Sequence, residues 1–203
     1  VPYGLEAVFA IDREVRLSYT AERPARTVFT LARTGVPMQL DRHCIGIIAD
    51  THDNRGAIQK AVALFNARGA GLVIHAGDMI SPFCILDFAA LACPMQLVFG
   101  NNDGERVGLH NAFQTKGPIQ SGPRLFDYEG RRFLLMHEDG CVDALSAVST
   151  VDVVVYGHTH VPDIRPGPPL IINPGEAGGW LKQRSTVALL YLNTMQVELV
   201  DLA

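Results

Sequence analysis

Two histidines one residue apart, His158 and His160, stand where the apolar run from Val151 to Tyr156 gives out. Residues at i and i+2 of an extended chain share a side, so both imidazoles can reach one neighbourhood where the strand stops. Such a pair alone is a weak sign of a metal site, but the pattern repeats along the chain. Asp50 and His52 follow the apolar run beginning at Cys44, Asp78 follows the run beginning at Gly71, Asn101 follows Met95 to Phe99, and His137 follows Arg131 to Met136. Carboxylate, amide and imidazole donors without sulfur suit Mn²⁺, Fe²⁺, Ni²⁺ or Zn²⁺ in a five- or six-coordinate site. Seven donors exceed what one such ion uses, whereas two ions sharing a carboxylate use them fully.

These donors need elements that bring strand ends together. From Met38 the pattern reads strand, helix, strand, helix, strand. Asp53 or Asn54 caps a helix whose apolar face is Ala57, Ile58, Ala61, Val62 and Phe65, and Gly69 stands where a C-terminal glycine should sit. Ser81-Pro82 is expected to open a second helix reaching about Cys93. Near-continuous apolar strands joined this way predict a parallel sheet covered on both faces, with its ligands at the C-terminal edge. The second half predicts a hairpin over Glu129-Gly130, a helix from about Cys141, a loop through the proline-rich residues 162 to 169, and a closing hairpin over Asn193-Thr194. A second, mostly antiparallel sheet stacked on the first is the economical arrangement.

Residues 1–37 have a different texture. Two stretches that alternate polar with apolar residues, separated by Glu22-Arg23-Pro24, predict an N-terminal extension with a possible β-hairpin ahead of a main domain at 38–203. A chain of 203 residues can bury a core unaided. Its formal charge of −4 offers no electrostatic reason to bind nucleic-acid backbone or an anionic membrane. No apolar run is long enough to span a bilayer, and charged residues interrupt the first twenty positions where a secretory signal would need its apolar segment. Four scattered cysteines fit reduced thiols, so the expected setting is cytoplasmic.

Taken in order, Asp50-Thr51-His52, Gly77-Asp78, Gly100-Asn101-Asn102-Asp103, His137 and Gly157-His158-Thr159-His160 resemble the five blocks of the calcineurin-like metallophosphoesterases, with spacing similar to the small bacterial and archaeal phosphodiesterase members. The resemblance covers everything from Met38 onward. It implies an α/β fold, a four-layer α/β/β/α sandwich of two mixed β-sheets flanked by helices. It further implies two divalent metal ions, Mn²⁺ foremost: Asp50, His52 and His160 would hold one, Asn101, His137 and His158 the other, with Asp78 bridging. The implied reaction is hydrolysis of a small phosphate ester, most readily a diester, by in-line attack of a hydroxide the two ions share. A monoesterase, or an assembly subunit of the same fold, is the alternative, and a homo-oligomer is allowed.

Three departures from the family pattern bear on mechanism. Asn102 stands where many members carry a histidine, and an amide cannot act as a general acid. It is expected to orient phosphate, favouring substrates whose leaving group departs unaided. Glu138-Asp139-Gly140 replaces a common Gly-His after His137, and Glu176 replaces a common serine. Asn102 and Asp103 are the candidate catalytic residues, with Asp103 orienting its neighbours. Asn54, Arg55 and Asn102 are the candidate substrate contacts, the first two from a helix N-terminus. His43, His75 and His110 fit no block, and His75 is expected to be a hydrogen-bonded near-core residue.

Overall fold

The computed structural model describes residues 40–147 and 149–202, so the hairpin expected within residues 1–37 lies outside the described residues. The elements in order are β1 (Asp41–Ile48), α1 (Arg55–Ala67), β2 (Ala70–His75), a 3-10 turn (Pro82–Cys84) running into α2 (Ile85–Phe88), β3 (Met95–Val98), α3 (Arg106–Phe113), β4 (Ile119–Gln120), β5 (Arg124–Tyr128), β6 (Arg131–Leu135), α4 (Val142–Leu145), β7 (Val153–Val155), β8 (Asp163–Arg165), β9 (Leu170–Asn173), β10 (Thr186–Tyr191) and β11 (Gln196–Asp201). They form a six-stranded sheet ordered β11-β10-β1-β2-β3-β4 and a five-stranded sheet ordered β5-β6-β7-β9-β8.

Alternation along β1 divides the side chains between layers. Ile45 and Ile47 point inward to Leu72, Ile74, Val98, Phe133, Val153 and Ile172, which fill the space between the two sheets. Cys44 and Ile48 point outward, where Ile58, Phe65, Phe88 and Phe113 pack the helices onto the first sheet. A smaller cluster of Met136, Val142, Val154, Tyr156 and Ile171 covers the outer face of the second sheet. Three apolar interfaces separate four layers, which is the expected α/β/β/α sandwich.

α1 forms as its spacing predicts. Ala57, Ile58, Ala61, Val62 and Phe65 are its buried face, Asn54 Oδ1 accepts from the Ala57 N–H at 3.1 Å, and Gly69 takes φ +66° past the C-terminus. Both hairpins also form as expected.

The structure departs from the sequence reading at five points. The helix expected over residues 81 to 93 ends at Phe88, because side chains from elsewhere take the backbone groups beyond it. Asn66 bonds the Ala90 carbonyl and the Ala92 N–H, and Lys116 Nζ donates to the carbonyls of Ala89 and Leu91. α3 carries a mid-helix Gly108 that weakens its helical signal; a Cβ there would lie 2.7 Å from Pro82 Cγ, so close packing explains the glycine. The second sheet is not mostly antiparallel: β6, β7 and β9 pair parallel at its centre, with antiparallel strands only at its edges. The C-terminal hairpin joins the first sheet, through β10 against β1, and the proline-rich stretch contains the short edge strand β8.

Candidate metal centre

All seven predicted donors lie just past the C-terminal ends of parallel strands: Asp50 and His52 after β1, Asp78 after β2, Asn101 after β3, His137 after β6, and His158 and His160 after β7. Stacking the two sheets brings these ends to one edge. The backbone there is unusual. Asp50, His52, Asp78, His158 and His160 all occupy the left-handed region, with φ of 50°, 41°, 57°, 70° and 60°. Asp and His tolerate this region better than most residues, yet each such residue costs on the order of 1 kcal/mol and persists only where the surroundings enforce it. The segment holding His158 and His160 is therefore not extended. Left-handed turns send the two rings apart, His160 against His52 and His158 against His137, instead of to one side as strand alternation suggested.

Ligand atoms of Asp50, His52, Asp78 and His160 lie within 4.8 Å of one another. His52 Nε2 is 3.5 Å from Asp78 Oδ2, and His160 Nε2 is 3.6 Å from Asp50 Oδ1. On the other side, His137 Nε2 and His158 Nδ1 approach Asn101 Oδ1 at 2.8 and 2.9 Å. Asp78 Oδ2 is also 3.5 Å from His137 Nε2, so one carboxylate oxygen stands equally far from a histidine of each group. Asp50, His52, Asp78 and His160 thus form one cluster, and Asn101, His137 and His158 lie beside it.

Electrostatics fit a cation here. Asp50 and Asp78 are both buried, and burying unpaired charge is costly. Burial pushes the Asp50 carboxyl up to about 7, against the pull of His137 and His160. Burial also raises Asp78, but His137 and Asn102 outweigh it and hold that carboxyl below the ordinary range. Burial lowers His52, keeping its ring neutral as a ligand must be. His52 Nε2 is buried with no hydrogen-bond partner. A divalent ion would satisfy that nitrogen and offset the paired carboxylates, so the donor set suits a divalent cation.

Close approach explains two glycines. A Cβ on Gly100 would lie 2.1 Å from Asp78 Oδ1, and one on Gly77, at φ +95°, would lie 2.6 Å from His137 Nδ1. Each glycine leaves room for a ligand from a different strand.

Several residues act through the ligands. The Asp103 carboxylate accepts from the N–H groups of Asp78, Met79, Ile80 and Gly100 at 2.7 to 3.1 Å, tying the loop after β2 to the loop after β3. This corrects its assignment as catalytic: its oxygens face the backbone and position Asp78. His137 Nδ1 is held 2.8 Å from the Ala76 carbonyl, which turns Nε2 toward Asn101. His75 is buried as expected. Its Nδ1 accepts from the Gly77 N–H at 3.2 Å, which requires the Nε2–H tautomer, and Nε2 lies 3.3 Å from Thr51 Oγ1.

Glu176, noted in the sequence only as a replacement for a common serine, is buried. It accepts from the N–H groups of Leu181 and Lys182 at 2.7 and 3.1 Å, and its Oε2 lies 3.1 Å from His160 Nδ1, off the line of a good hydrogen bond. The only sequence signal was an acidic residue in Asn173-Pro174-Gly175-Glu176 after a strand.

Asn54 and Arg55 also need correction as substrate contacts. The Asn54 amide is used at both ends, by the helix cap and by a 2.7 Å bond to the Gly178 carbonyl. Arg55 is held in a two-pronged pair with Asp87 at 2.7 and 3.1 Å. Asn102 stays at the centre, donating to Asp78 through Nδ2 at 2.7 Å and through its backbone N–H at 2.8 Å. Beside His137 opens a cavity of about 420 Å³ whose walls include Phe99, Arg106, Ser121, Met136 and Cys141.

Comparison with known proteins agrees with this geometry. The profile of the calcineurin-like phosphoesterase superfamily domain matches residues 44–195. A phosphodiesterase of Methanocaldococcus jannaschii is 34% identical over 156 residues, which span 72% of this chain and 91% of that protein. A solved structure of an archaeal phosphodiesterase is similar with a TM-score of 0.72 at 32% identity, covering 78% of this chain and 99% of that one. Vps29 of Entamoeba histolytica, solved with Zn²⁺, shares the fold with a TM-score of 0.56 at 18% identity, covering 79% of this chain and 99% of its own. With its strand-end donors gathered at one edge and most of its length matched, this chain belongs to the calcineurin-like phosphoesterase superfamily.

Proposed function

We propose that this protein is a phosphodiesterase that hydrolyses small phosphate diesters with two divalent cations, Mn²⁺ foremost. The observation that carries the reading is the position of Asp78 Oδ2, 3.5 Å from His52 on one side and from His137 on the other. Asp50, His52 and His160 would hold one ion, and Asn101, His137 and His158 the other, with Asp78 shared. When bound, such ions neutralise phosphoryl charge and lower the pKa of water.

The chain's own groups do the rest. The Asn102 amide nitrogen gives one N–H to Asp78, and we assign its second to a phosphoryl oxygen. Because an amide cannot protonate a leaving group, esters of acidic alcohols are the preferred substrates. The 420 Å³ cavity beside His137 falls in the size range of small-ligand pockets and gives room for one substituent of a diester. An assembly-subunit role would leave the full donor set without a use. Among the described residues no helix is long and apolar enough to cross a membrane. The four free cysteines, three of them buried, support a cytoplasmic setting.

The test is Mn²⁺-dependent turnover of bis-p-nitrophenyl phosphate beside p-nitrophenyl phosphate and a dialkyl phosphate. The aryl diester should be cleaved fastest, and Asp78→Asn and His158→Ala should each lower kcat/KM by roughly a hundredfold or more. A faster monoester reaction would reassign the chain as a monoesterase. Activity that survives either substitution would remove the two-ion reading.

A further inference from the structure

Trp180, the single tryptophan of the chain, is 61% exposed, although a large indole ordinarily packs into a core. Its exposure is not looseness. The indole N–H donates to the His52 carbonyl at 3.0 Å, so one residue directs its imidazole at Asp78 and its carbonyl at Trp180. The loop carrying the indole is tied down on both sides. The Ala177 and Gly178 N–H groups donate to the carbonyls of Ala49 and Asp50 at 3.0 and 2.9 Å, Asn54 Nδ2 holds the Gly178 carbonyl, and Glu176 holds the N–H groups of Leu181 and Lys182. A fixed indole therefore stands at the rim of the metal centre, on the His52 side.

We propose that Trp180 is a specificity-determining residue: a stacking wall for a planar ring, aryl or nucleobase, carried by the phosphate ester bound at the centre. The inference rests on the reading of the centre as a phosphate-ester site. A rigid exposed π-face binds a ring at little ordering cost and tolerates different ring identities. A protein-docking patch would need a broad contiguous apolar area. Here Trp180 and Leu181 run straight into exposed Lys182 and Gln183, while Arg184 is paired with Asp201, so a small anionic ester beside Lys182 suits the surface better.

The test uses the full chain loaded with Mn²⁺ and three ligands whose P–C bonds resist P–O hydrolysis: methylphosphonate, phenylphosphonate and a nucleoside 5′-phosphonate. Calorimetry gives the affinities, and the emission of the single tryptophan reports contact with the ring. At least one ring-bearing ligand should bind roughly five- to a hundredfold more tightly than methylphosphonate and change the emission; the tighter of the two identifies an aryl or a nucleobase ester. Trp180→Leu keeps apolar bulk without a π-face and should bring the ratio close to one, whereas Trp180→Phe should keep part of it. Equal binding of all three ligands, or a ring preference that survives Trp180→Leu, overturns the wall alone. Failure of every ligand to bind overturns the phosphate-site reading, and the wall with it.

Discussion

Asp50 and Asp78 are two carboxylates buried within reach of the same histidine, His52, an arrangement that is unfavourable until positive charge arrives. What keeps it in place is the hold on each partner. Glu176 Oε2 lies 3.1 Å from His160 Nδ1, and a carboxylate behind a ligating imidazole orients the ring and raises its basicity. Glu176→Gln should weaken Mn²⁺ binding by about 10- to 100-fold, measured by calorimetry; unchanged affinity would reduce Glu176 to a loop anchor.

His75 supports a second prediction. Burial pushes its imidazole down to about 3, with His137 adding to the effect, whereas an unfolded histidine titrates near 6.5. The unfolded chain thus binds the extra proton between those values. The stabilising contribution is complete above about pH 6.5 and is lost as pH falls toward 3, by at most about 1.4 kcal/mol per pH unit. Asp50 acts in the opposite direction: its raised carboxyl favours the metal-free fold at low pH, and that advantage is lost as pH rises from about 4 through about 7. The comparison is therefore metal-free protein with metal-free His75→Gln, following Tm against pH. The wild type should lose more stability than the variant between pH 6.5 and 4; parallel profiles would contradict the assignment.

At the scale of elements, left-handed residues follow β1, β2 and β7, and Asp103 ties the turn after β2 to the loop after β3 through four backbone N–H groups. Asp103→Asn replaces an oxygen acceptor with a donor and strands at least one buried N–H. The cost should be about 2 to 4 kcal/mol in denaturant unfolding, with Mn²⁺ affinity falling as the Asp78 turn loosens. A loss below 0.5 kcal/mol, inside the ordinary range for surface changes, would contradict that role.

The same turns mark how far the sequence could be read. α1 was legible from cap to C-terminal glycine because its signals are local and its apolar positions repeat. The shared placement of the seven candidate donors was legible because each follows an apolar run. The way His158 and His160 turn to different partners was not, since strand alternation cannot anticipate left-handed φ. α3 was hidden because Gly108 is explained by the close approach of Pro82 and the Glu105 side chain. The roles of Asn54, Arg55 and Asp103 depended on partners far away in sequence, Gly178, Asp87 and the turn after β2, and no local pattern contains them.

At the scale of the molecule, two sheets with parallel centres are stacked so that their C-terminal edges coincide, and three apolar interfaces fix that stacking. Neither sheet holds a complete site: the first supplies Asp50, His52, Asp78 and Asn101, and the second His137, His158 and His160. Binding two cations should therefore stabilise the whole sandwich by mass action, because the unfolded chain has no preformed site. Manganese stoichiometry, measured by equilibrium dialysis and elemental analysis on the wild type and Asp78→Asn, tests this most directly. Two ions per chain in the wild type, with the second lost in Asp78→Asn, is the predicted result. One ion or none in the wild type, or two retained by the variant, would contradict a centre shared through Asp78.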